Sequence, residues 1–157
     1  MLYFERFFPI ASAGIVLVAL YVFRDGVISG ANAGTLDFGV LYAAVFDWSA
    51  IQTGFLFGIF GFIAGKNDGF VKELKDTEQL AYFHNYQKTA IGLGFVITFA
   101  SIPLMVLNLS FSVAASWEFV VFSGWAALSM WAFFAFVRVA YIFGIIIRVR
   151  DRARVRG

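Results

Sequence analysis

Apolar residues do not alternate along this chain; they run in long uncharged blocks. One runs from Phe7 to Phe23, between Arg6 and Arg24, and a second from Trp48 to Gly65, between Asp47 and Lys66. A third uncharged stretch, Thr89 to Trp117, exceeds one perpendicular crossing, and its helix is placed at about 89–109. The fourth, Phe119 to Ile147, is interrupted only by Arg138, and its span is placed at 119–140. A bilayer crossing needs about 20 mostly apolar residues. The pattern therefore predicts an all-α, polytopic membrane protein: a single membrane domain, 1–157, built as a four-transmembrane-helix bundle. Its connections are an outer loop at 24–47, a cytoplasmic connection at 66–88 and a basic C-terminal tail at 148–157. Ala11-Ser12-Ala13 lies at the wrong end of the first run for a signal-peptide cleavage site, so an uncleaved helix is expected there.

The connections carry the remaining pattern. Residues 24–35, rich in Gly, Ala, Ser and Asn, read as a loop. Residues 36–46 are apolar again, with Thr35 or Asp37 as an N-cap; eleven residues are too few to cross, so they form an interfacial helix, an extension of the second span or a re-entrant segment. In 66–88, Phe70, Val71 and Leu74, then Tyr82, Phe83 and Tyr86, recur at helical spacing among charges, which predicts one or two short amphipathic helices. His84 stands among these aromatics as an interfacial side chain.

Composition sharpens this picture. Hydrophobic residues make up 61% of the chain and charged residues 14%, against about 25% charged in soluble domains. With no Cys and one His, disulfides, thiolate metal sites and a multi-His metal site are excluded, so no metal and no cofactor are expected. No nucleophile–base pair or phosphate-binding glycine loop stands out, and the protein is not expected to be an enzyme. Placing both termini and 66–88 on the inner side puts eleven of the twelve Lys and Arg there, leaving Arg24 outside. By the positive-inside rule both termini are cytoplasmic, as in a bacterial inner-membrane protein.

Within the spans, Gly54, Gly58, Gly61 and Gly65 fall in one stripe about 60° wide at 100° per residue. Such a stripe suits close helix packing, either inside the bundle or in a homo-oligomer. Ala90 and Gly94, continued by Thr98 and Ser101, form a weaker stripe on the third span. Arg138 either snorkels to the inner head groups or lies within the membrane as a pore or interface charge. No Asp or Glu falls within the four spans as drawn. Arg148, Arg150, Arg152, Arg154 and Arg156, with Lys72 and Lys75, are candidates for binding an acidic partner or anionic lipid; nucleic acid is not an expected partner.

The small multidrug exporters' intramembrane Glu is missing from Phe7–Phe23, and the cysteines of claudins and quinone-linked thiol oxidoreductases are missing throughout. In layout alone the chain is similar to small membrane subunits of bacterial operons, anti-phage systems among them. The expected function is that of a non-enzymatic, homo-oligomeric membrane subunit that engages membrane lipids or a soluble cytoplasmic protein. The alternative is a channel or pore-forming effector, as in a bacterial defence system.

Overall fold

The computed structural model describes residues 2–65, 78–107 and 117–155. These form five helices: α1 (Leu2–Val22), α2 (Arg24–Asn32), α3 (Phe38–Gly65), α4 (Glu78–Leu107) and α5 (Trp117–Val155). There are no strands among the described residues. Three helices, α3, α4 and α5, are long and apolar enough to cross a membrane; a fourth crossing is added if α1 and α2, bent by 68° at Phe23, count as one broken span. Their outer surfaces are apolar as well: Ile51, Val106 and Ile15 are 74%, 79% and 68% exposed. A helix that is apolar on every side belongs in a protein core or in lipid, and among the described residues none covers these outer faces. The chain is an integral membrane protein by that criterion.

One sequence-based boundary is corrected, and among the alternatives for a second segment the helix extension is the one found. Residues 24–32 are helical, not a loop, because Val27, Ile28 and Ala31 pack on the aromatic end of the core; Gly26, Ser29 and Asn32 are on the exposed side, and Gly30 is half-buried against Leu36. Residues 36–46 are neither re-entrant nor a separate interfacial helix. From Phe38 onward they are the first turns of α3, which continues unbroken to Gly65. The turn between α2 and α3 uses Gly34 at φ 70°, a left-handed conformation that glycine adopts without strain. Asp37 then caps α3, its Oδ1 accepting the Val40 amide at 3.1 Å. Similarly, 78–88 belongs to α4, whereas 66–77 lies outside the described residues.

The main packing is α3 on α4, α4 on α5 and α5 on α1. Two cores result. Near one end, Phe38, Tyr42, Phe122 and Trp125 interlock, with Phe38–Phe122 and Tyr42–Trp125 ring centroids each 4.8 Å apart and edge-on. Toward the other end, Leu56, Ile59, Ile63, Leu80, Phe83, Ala90, Ala135 and Val139 form an aliphatic core. Between α1 and α3 a groove of about 410 Å³ opens, lined by Val16, Leu41, Val45, Trp48 and Phe133 among others.

Candidate functional site

Helix registers fix where each charge sits along the bundle. Ser49 and Thr98 hydroxyls are 2.8 Å apart, and Gln87 Nε2 donates to the Leu56 carbonyl, so α3 and α4 run antiparallel. Gln52 Nε2 reaches the Ala132 carbonyl at 3.4 Å, and Phe143 meets Phe62, so α5 runs parallel to α3. Phe8 against Phe134 and Tyr21 against Phe119 set α1 antiparallel to α5. These pairings place six of the described charged residues in two planes. Arg24, Asp25, Asp37 and Glu118 share one level; Lys88 and Arg138 share the other. Residues 119–137 separate the planes along α5, about 28 Å at 1.5 Å per residue. That is close to the ~30 Å thickness of a hydrocarbon core.

Arg138 is the best-built part of the basic plane. Its guanidinium carbon stands 3.8 Å from the centroid of the Tyr86 ring, a cation–π contact across the α4–α5 interface. Both side chains are half-buried. His84 lies two residues before Tyr86 on α4, in ring contact with Phe60 and Phe83, as an interfacial aromatic would. Helix α5 continues past Arg138 to Val155 and so carries Arg148, Arg150, Arg152 and Arg154 on helical backbone. The side chains of those arginines, and Arg156, Lys72 and Lys75 altogether, lie outside the described residues.

The two small-residue stripes do not pack on each other. Gly54, Gly58, Gly61 and Gly65 are all exposed, and a Cβ added at any of them would meet nothing within 4 Å. They lie opposite the buried face of α3, which consists of Ser49, Gln52, Thr53, Leu56, Ile59 and Ile63. Ala90 and Gly94 are buried, as expected for a packing stripe. The partner of Gly94 is the Thr53 side chain, which a Cβ at 94 would overlap. The intramolecular seam is therefore formed by polar and small residues, not by glycine on glycine.

Sequence reasoning missed this polar seam. Ser49–Thr98, Thr53, Gln52, Gln87 and the Trp125 Nε1–Ser101 Oγ bond at 3.0 Å run along the bundle interior. Gln52 Oε1, Gln87 Oε1, Tyr42 OH and Ser123 Oγ are buried there with no hydrogen-bond partner among the described residues. Ser49, Gln52, Thr53 and Leu56 share a helix face at intervals of three and four, a signal the sequence does contain. The signal is incomplete in the sequence because Gln87 falls in the charged stretch 66–88. Among the described residues no three His, Asp or Glu side chains gather as a metal site.

The second span as drawn, 48–65, holds no acidic residue, but its helix begins ten residues earlier, at Phe38. Asp47, which bounds the second uncharged run, falls ten residues into α3. It is exposed, and it has no hydrogen bond or ion pair among the described residues. No family model matches this chain, and comparison with curated proteins and with solved structures finds none that is similar.

Proposed function

We propose that the chain is a four-span, non-enzymatic subunit of a membrane assembly, with the broken α1–α2 pair as its first crossing. Its basic end faces the cytoplasm of a bacterial cell and holds anionic lipid or an acidic cytoplasmic protein. The observation that carries this reading is the basic plane itself: Lys88 and Arg138 at one level, Tyr86 beneath the guanidinium, and α5 extending the same end as a helix bearing four further arginines. Each basic residue near an anionic surface contributes about 1 kcal/mol.

The test is lipid retention. The protein is reconstituted in mixed phosphatidylglycerol–phosphatidylcholine bilayers, extracted, and its bound lipid weighed by mass spectrometry. Phosphatidylglycerol should be enriched, and replacing Arg148, Arg150, Arg152, Arg154 and Arg156 by Gln should reduce the enrichment. Salt should act in the same direction, because exposed charges are screened beyond about 8 Å at physiological ionic strength. Retention that ignores both lipid charge and salt defeats the reading for lipid.

A second reading, a conducting pore, is favoured by one observation: the buried polar seam with its unpartnered Gln52, Gln87, Tyr42 and Ser123 oxygens. Unpartnered buried polar atoms cost about 1–3 kcal/mol each, and water supplies the missing bonds in many proteins. Conductance in planar bilayers that falls on Gln52→Leu would support this reading over the first.

A further inference from the structure

Asp47 is the side chain that the bundle leaves without an explanation. The registers of α3 on α4 and α5 set it level with Ala100 and Ala127. That is about 13 Å from the Glu118 plane and about 16 Å from the Arg138 plane at 1.5 Å per residue. If the two charged planes mark the edges of the hydrocarbon, Asp47 lies close to its middle. Sliding the membrane the other way, to cover 48–65, would bury Lys88 and Arg138 to spare one Asp. One intramembrane charge costs less than two, each worth at least about 2.5–3.5 kcal/mol at the bilayer centre.

The carboxyl points outward. At 100° per residue Asp47 lies about 180° from Leu56, at the centre of the buried face of α3. It shares the outward face with Ala43, Ala50, Gly54 and Gly58, residues over which a helix backbone can approach closely. We propose that this face is the docking site for a transmembrane helix of a different protein carrying a Lys or Arg at mid-depth. The argument is charge complementarity. A carboxylate in hydrocarbon needs a cation or several donors, and among the described residues none stands at that level. The exposed residues of comparable depth on α1 and α4 are apolar, Ile15, Val18, Val96 and Phe99 among them. A second copy docking through the same face would bring Asp47 against Asp47, like charge against like. The complement must come from another chain.

This inference rests on the membrane-spanning reading but not on the lipid-binding one, and it is tested in neutral lipid, where the basic end has no anionic ligand. The full-length protein, donor-labelled, is reconstituted in phosphatidylcholine vesicles with acceptor-labelled leucine-rich transmembrane peptides differing only at the central residue, Arg or Leu. The Arg peptide should associate about five- to thirty-fold more tightly, the range seen for polar contacts between membrane helices. Asp47→Leu, which removes a charge from lipid and should leave the fold intact, abolishes the preference; Asp47→Glu keeps it. Gly54→Leu weakens association of both peptides. Equal association of the two peptides, or a preference that survives Asp47→Leu, overturns the proposal. So does a disulfide between copies of the Asp47→Cys variant at native density, which assigns the face to a second copy. Labelling of Asp47→Cys by a water-soluble maleimide as fast as an exposed loop cysteine removes the mid-depth placement on which the argument stands.

Discussion

Glycines that look alike in the sequence play opposite roles here. Gly94 is essential to the α3–α4 contact because Thr53 occupies the space a Cβ would take, and Thr53 is held in place by donating its hydroxyl to the Ser49 carbonyl at 2.7 Å. Gly94→Ala should therefore lower stability by about 1–3 kcal/mol, the usual cost of overpacking. Thr53→Ala in the same chain removes the obstructing hydroxyl and should restore part of the loss. Thermal denaturation in detergent of the wild type, both single variants and the double variant measures this; an additive double variant would disprove the clash. Gly58→Ala and Gly61→Ala should leave that midpoint nearly unchanged in the isolated chain, since nothing faces them. Arg138 and Tyr86 make a second residue-scale case. Arg138→Lys keeps the charge but loses the flat guanidinium stacked on the ring, which is worth about 0.5–2 kcal/mol. Tyr86→Leu should cost about the same, and the two changes together should cost less than their sum.

At the scale of the helices, much was legible. The apolar runs located α1, α3, α4 and α5, because 20 or so uncharged residues have few other fates. Asp37 was readable as an N-cap from its place before an apolar run, and its carboxyl takes the Val40 amide. Asp37→Ala should destabilise α3 by about 1 kcal/mol, while Asp37→Asn, still an acceptor, should stay near wild type. Equal midpoints for the Ala variant and the parent would mean that water satisfies that amide as well. The boundaries were less legible. Charges punctuate the sequence, so Asp47 and Lys66 bracket one uncharged run and Lys88 precedes another. Yet a helix passes through a charged residue wherever its backbone bonds continue, as α3 does at Asp47 and α4 at Lys88. Helix α2 escaped because its Gly and Ser suggest a loop, whereas its three apolar residues reach the core only after the 68° bend at Phe23 brings them over it.

For the whole molecule, the polar seam and the level of each charge depend on which helices touch and at what register, and a single sequence does not encode that in any local pattern. The seam pairs Ser49 with Thr98 and Gln87 with Leu56, partners 49 and 31 residues apart. What composition did convey was the asymmetry of Lys and Arg, and the helix directions now make it a sharper test. Helices α3 and α5 run one way, α1 and α4 the other, so Leu2, Gly65, Glu78 and the end of α5 all lie at the Arg138 end, with α2 at the opposite end. If that end is cytoplasmic, a reporter active only in the cytoplasm should work when fused after Gly157 and when inserted in 66–77. A reporter active only outside should work when inserted at Asn32–Thr35. Neutralising the five tail arginines should not invert this arrangement, because Lys66, Lys72, Lys75 and Lys88 still mark the same side. A chain in which 66–77 and the C-terminus report opposite sides cannot have α3 and α5 parallel across one bilayer. In that event the depth assigned to Asp47 and Arg138 falls together with the four-span reading.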